Sequence, residues 1–139
     1  MYNNFSATPL SSTRILVVDD HEGTREFACA VLQKAGFTVL ACASGEEALL
    51  TIARDPTIGL LITDIMMPGR VDGWRLAESS KALRRGLKII YITAVPSVIP
   101  RPGQRPGLGP LVPKPCTPEQ LTLSVRRVLE LSPGPRRRS

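Results

Sequence analysis

Leu60-Leu61-Ile62-Thr63-Asp64-Ile65-Met66-Met67-Pro68-Gly69 sets an apolar run against a carboxylate and then a turn. The run is too short for a helix and reads as a buried strand, closed by Pro68-Gly69. Asp64 therefore stands where a strand gives way to a loop. The same arrangement recurs on either side. Ile15-Leu16-Val17-Val18 ends in the paired carboxylates Asp19-Asp20. Leu87-Lys88-Ile89-Ile90-Tyr91-Ile92 ends in Thr93, and the short Leu111-Val112 leads to Lys114-Pro115. If these segments are parallel strands of one sheet, their terminal groups meet at one edge, where open α/β sheets bind ligands.

Helical patterns fill the intervals. Over 23–35, Phe27, Ala30, Val31 and Ala35 recur at helical offsets and predict the buried stripe, with Gly36 as the stop. Residues 38–42 read as a short strand. Ser44 with Glu47 three residues later has the spacing of a capping box and opens a helix to about residue 54, before Asp55-Pro56. A third helix is expected over 74–84. Thr117-Pro118-Glu119-Gln120 is a second box with Pro118 at the first helical position, and Leu121, Val125, Val128 and Leu129 form the stripe that follows. Alternating strand and helix with right-handed crossovers predicts a parallel sheet covered on both faces.

One interval breaks the alternation. Residues 94–110 carry five prolines and three glycines where a helix is due. Each interior proline costs a helix about 3 kcal/mol, so an extended or flexible loop is expected instead.

Bulk properties narrow the class. A chain of 139 residues is one domain by length, with 42% hydrophobic residues. No apolar stretch approaches the roughly 20 residues of a membrane span, and residues 1–13 do not read as a signal peptide. Cys29, Cys42 and Cys116 are odd in number and far apart, which suits reduced thiols in a cytoplasmic protein. The net charge is +6, and the basic end Arg136-Arg137-Arg138 reads as a solvated tail.

Asp19, Asp20 and Asp64 bring three negative charges together, which a hard cation relieves. Carboxylates with waters and a carbonyl suit Mg²⁺. Lys114 is a point charge for a phosphoryl oxygen or for Asp64, and Thr93 can donate a hydrogen bond to another oxygen. Phosphoryl transfer needs mainly positioning and charge neutralisation, and a carboxylate nucleophile can form an acyl phosphate. His21, beside the acidic pair, reads more readily as a loop residue than as a ligand.

In these motifs, and in the intervals of 44 residues from Asp20 to Asp64, 29 to Thr93 and 21 to Lys114, the chain resembles the CheY-like receiver domains of two-component response regulators. Asp72-Gly73 and Ile92-Thr93-Ala94 belong to the same pattern. The resemblance implies a flavodoxin-like, doubly wound five-stranded parallel sheet of order 2-1-3-4-5. It implies that Asp64 accepts phosphate from the phosphohistidine of a sensor histidine kinase or histidine phosphotransfer protein. It also implies that Asp20 binds Mg²⁺ directly, Asp19 through water and Met66 through its backbone carbonyl. Thr93 and Lys114 would contact the phosphoryl group, and the Lys114-Pro115 peptide would be cis.

The chain departs from the family where the signal is read out. The position three residues before Lys114, usually aromatic, is Leu111, and the helix expected before it is replaced by the proline-rich interval. Phosphorylation is therefore expected to order or reposition residues 94–110. Met66 and Val95, both apolar, flank the implied water path, so slow self-dephosphorylation is expected. The boundaries expected are a flexible segment 1–12, a receiver domain 13–131 and a basic tail 132–139. With no DNA-binding module after residue 131, the expectation is a monomer or weak dimer acting on a downstream protein through its surface. The alternative is a phosphorylation-independent interaction module with the same fold. A hydrolase of external phosphoesters is disfavoured, since no cap or substrate pocket is visible in the sequence.

Overall fold

The computed structural model describes residues 13–94 and 107–130. The order is β1 (Arg14–Val18), α1 (Glu22–Lys34), β2 (Thr38–Cys42), α2 (Gly45–Arg54), β3 (Ile58–Asp64), α3 (Gly73–Leu83), β4 (Lys88–Thr93), β5 (Leu111–Pro113) and α4 (Pro118–Glu130). The strands form one sheet in the order β2-β1-β3-β4-β5, every described pairing parallel. The expected doubly wound architecture is present.

Alternation along each strand divides the core into two layers, since successive side chains point to opposite faces. Leu16, Val18, Leu61, Ile89 and Tyr91 face Ala48, Ile52, Leu76 and Ala77 of α2 and α3. Ile15, Val17, Leu60, Ile62, Ile90 and Ile92 face Ala28, Leu32, Leu121, Val125 and Leu129 of α1 and α4. Burial on both faces is why these strands read as unbroken apolar runs. Each fully buried Leu or Ile contributes about 1.5–3 kcal/mol.

The helix ends follow their local chemistry. At α2, the Ser44 hydroxyl accepts from the Glu47 N–H at 3.2 Å, and the Glu47 carboxylate accepts from the Ala43 N–H at 3.1 Å. At α4, Thr117 and Gln120 form the reciprocal pair at 3.0 and 2.8 Å. The α4 box is thus closed as predicted, while at α2 the return bond reaches Ala43, one residue before the cap. Asp72 caps α3 by accepting from the Arg75 N–H at 2.9 Å, a cap not anticipated from sequence. Arg84, just past α3, donates to the carbonyls of Ile52 and Ile58 and ties the end of α2 to the start of β3.

The stripe expected on α1 is corrected. Phe27 and Ala30 are exposed, while Ala28 and Leu32 are buried, with Val31 and Ala35 partly so. Ala28, Val31, Leu32 and Ala35 satisfy helical spacing equally well, and it is the sheet that selects this face over the one carrying Phe27. The loop expected over 94–110 falls largely on residues 95–106, outside the described residues. So do the segments 1–12 and 132–139. Among the described residues, no helix is long and apolar enough to cross a membrane.

Candidate functional site

The sheet order places β1 beside β3, with β2 outside β1 and β4 outside β3. Chain direction of travel across the sheet reverses there, which opens a crevice at the carboxyl ends of the strands. Asp19 and Asp20 follow β1, Asp64 ends β3, Thr93 ends β4, and Lys114 follows β5. Asp19, Asp64 and Thr93 are buried. Lys114 Nζ is 2.8 Å from Asp19 Oδ2 and 3.2 Å from Asp64 Oδ2. One ligand atom each from Asp19, Asp20, His21 and Asp64 lie within 4.8 Å of one another.

The cluster is electrostatically uneven. Burial opposes ionisation of Asp19, but Lys114 and the His21 N–H outweigh it and hold this carboxyl below its ordinary range. Burial pushes Asp64 up, the Asp19 charge adds to this, and Lys114 only partly offsets them. Burial also works against the Lys114 charge, yet its two carboxylate partners raise its pKa.

The donor set fits a hard divalent cation. Asp20 Oδ1 is buried without a hydrogen-bond partner, an unusual state for a carboxylate oxygen. It lies beside two further carboxylates, and oxygen ligands of this type suit Mg²⁺. His21 Nδ1 stands 3.5 Å from oxygens of both Asp19 and Asp20, but its side chain is mostly exposed.

The remaining expected positions are also placed. Thr93 sits at the end of β4, and its carbonyl accepts from the Lys114 N–H at 2.8 Å. The Lys114-Pro115 peptide is cis. Met66 lies two residues past Asp64 with its side chain exposed. The turn after β3 closes tightly: the Gly73 N–H donates to the Ile65 carbonyl at 2.9 Å, and a Cβ on Gly73 would meet the Asp64 carbonyl. An apolar groove of about 380 Å³, bordered by Phe27, Ile92, Ala94 and Pro115, opens beside Lys114.

Two further residues bear on the site. Tyr91, in register with Leu111, packs against Trp74 with ring centroids 4.6 Å apart, and its hydroxyl accepts from the Leu108 N–H at 3.1 Å. Leu111, which stands where β5 lacks an aromatic, thus has an aromatic cross-strand neighbour on β4. Arg25, in the first turn of α1, donates to the Asp19 carbonyl at 2.8 Å. Neither signal was visible in spacing, because each side chain bonds to a main-chain group.

A five-stranded α/β sheet with an acidic cluster and a lysine at its switch point defines a class, and comparison with known proteins gives its family. The model of the response regulator receiver domain matches residues 15–126, and the chain belongs to that family. Relatives include a probable transcriptional regulator ycf27 of Cyanophora paradoxa, 32% identical over 127 residues, covering 91% of this chain and 52% of the relative. The transcriptional regulatory protein HprR of Escherichia coli K12 is 31% identical, over 84% of this chain and 51% of its own. The chain thus spans about half the length of these curated relatives. A response regulator receiver protein from Sinorhizobium medicae superimposes with a TM-score of 0.76 at 26% identity, over 89% of this chain and 99% of that one. The receiver domain of the hybrid histidine kinase CckA gives 0.70 at 31% identity, over 84% and 98%. Receiver domains are phosphoacceptor signalling modules rather than enzymes in the ordinary sense, and they partner with histidine kinases or phosphotransfer proteins. They generally bind Mg²⁺ at an acidic pocket.

Proposed function

We propose that this receiver accepts a phosphoryl group on Asp64 from a phosphohistidine donor, in a Mg²⁺-dependent reaction, and signals to a downstream protein through its surface. The observation that carries this reading is the Lys114 ammonium bridging buried Asp19 and Asp64, beside an Asp20 oxygen buried without a hydrogen bond.

Asp20, Asp64 and the Met66 carbonyl would hold the ion directly and Asp19 through water. Bound Mg²⁺ would supply charge neutralisation for the phosphoryl oxygens. An Asp64 carboxylate oxygen attacks phosphorus, forming an O–P bond as the donor's N–P bond breaks. The departing imidazole takes a proton from solvent. Lys114 turns from Asp64 to a phosphoryl oxygen, and the Thr93 hydroxyl donates to another. Asp19 keeps Lys114 in place throughout, because its low pKa preserves that ion pair.

Acetyl phosphate with Mg²⁺ tests the reading by intact-mass measurement. The wild-type chain is expected to gain one phosphoryl group, which does not form when EDTA replaces Mg²⁺ and is absent from Asp64→Asn. An adduct that survives Asp64→Asn, or forms equally without metal, refutes it. Absence of any adduct on the wild type favours the phosphorylation-independent module that Leu111 suggested.

A further inference from the structure

Asp20 is held in an unusual way. Its Oδ1 is buried without a hydrogen bond, and its one ion-pair contact among the described residues, 3.5 Å to the largely exposed His21 Nδ1, is too long to fix its direction. Its backbone is held on both sides instead. The peptide before it carries the Asp19 carbonyl, which accepts from Arg25 Nη1 at 2.8 Å. The peptide after it carries the His21 N–H, which donates to Asp19 Oδ1 at 2.9 Å. Peptide groups are planar, so anchoring one atom of each constrains the planes that flank the Asp20 Cα.

The rest of the turn is anchored to regular structure. The Asp19 N–H donates to the Cys42 carbonyl of β2 at 3.2 Å. The His21 carbonyl accepts from the Arg25 N–H at 3.0 Å and from Thr24 Oγ1 at 3.1 Å. Arg25 therefore holds the turn at two points, by its main chain through His21 and by its guanidinium through Asp19. The second tie spans six residues and acts on the peptide that leads into Asp20.

We propose that Arg25 is a positioning residue for the divalent cation: its guanidinium locks the Asp19–Asp20 peptide so that the Asp20 carboxylate faces the cluster. The inference rests on the metal-dependent reading above. It makes a prediction opposite in sign to the simplest electrostatic one. Removing a positive charge near a cation site strengthens cation binding. Removing a group that orients a ligand weakens it, typically by tenfold or more.

The test is metal affinity. Free Mn²⁺ is counted by its paramagnetic resonance signal, and Mg²⁺ is measured by competition. Arg25→Met keeps the aliphatic stem and nearly the same helix propensity, which isolates the guanidinium. Its affinity for Mg²⁺ is expected to fall about tenfold. Arg25→Lys, which keeps a charged donor, is expected to fall between it and the wild type. Arg84→Met is the control, since Arg84 also donates to main-chain carbonyls but lies off the acidic turn. It is expected to lower thermal stability and leave the metal affinity of the folded protein unchanged. Arg25→Gln replaces the Met variant if that one does not fold. Unchanged or tighter binding in the folded Arg25 variants overturns the positioning role. Failure of the wild type to bind either ion refutes the metal reading itself.

Discussion

Asp64 is the carboxylate that the fold holds at a cost. Its carboxyl is pushed up by burial and by Asp19, so the folded protein holds that proton more tightly than the unfolded chain does. By linkage, stability is lost as pH rises through the interval between 3.8 and the raised value, and the loss persists at neutral pH. Without metal, Asp64→Asn is expected to stabilise the fold by about 1 kcal/mol, the usual scale of a relieved functional site. Urea unfolding in EDTA checks this, read as a higher midpoint at an unchanged slope. Lys114→Met should act oppositely, costing about 3 kcal/mol by leaving Asp19 and Asp64 uncompensated. A lower midpoint for Asp64→Asn would mean that attraction to Lys114 outweighs burial. Asp19, Asp20, Asp64, Thr93 and Lys114 were legible in the sequence because each ends an apolar run. Arg25 and Tyr91 were not, since a main-chain partner leaves no trace in residue spacing.

At the scale of elements, the sequence was most readable where an end is chemically marked. Ser44 with Glu47 and Thr117 with Gln120 located the starts of α2 and α4 before any packing was known. Helix α1 lacks such a mark, for its N-cap His21 makes no side-chain cap bond, and there spacing alone does not identify the buried stripe. Helical periodicity says that a face exists, and only the sheet says which one. Strand β5 is the shortest described strand, three residues long and, among the described residues, paired only to β4. What seats it is the preceding segment, where the Pro110 carbonyl accepts from the Tyr91 N–H at 2.9 Å. A Cβ on Gly109 would meet the Ile89 main chain. Gly109→Ala is therefore expected to cost more than about 1 kcal/mol and to displace Lys114 downstream. Gly86→Ala, whose Cβ meets nothing within 4 Å, should be neutral or slightly stabilising. Denaturation of the two variants side by side measures the contrast, and equal midpoints would remove the argument that Gly107–Pro110 docks on β4 through close backbone contact.

Across the whole molecule, two apolar layers fix the sheet, and the sheet fixes which strand ends meet. Asp64 is then carried as a local cost beside two core layers that contain none of the cluster's side chains. Metal binding should return that cost to the folded state, because a ligand that prefers the native form adds RT ln(1 + [L]/Kd) to stability, about 2.7 kcal/mol at a hundredfold excess over Kd. Protons compete for the same oxygens, and the two titrating partners differ. Asp64 sits above the ordinary carboxylate value of 3.8, whereas Asp19 sits below it. On acidification Asp64 takes its proton first, while Asp19 still holds Lys114. The stabilisation by Mg²⁺ should accordingly shrink as pH falls through the Asp64 transition, before the Asp19–Lys114 pair is lost. Thermal unfolding with Mg²⁺ and with EDTA, repeated down a pH series, gives this as a narrowing gap between two curves. The EDTA curve should hold level or rise over the same interval, since protonating Asp64 relieves its burial. A gap that stays constant until the fold itself collapses would separate the cation from Asp64 and place it on Asp19 and Asp20 alone.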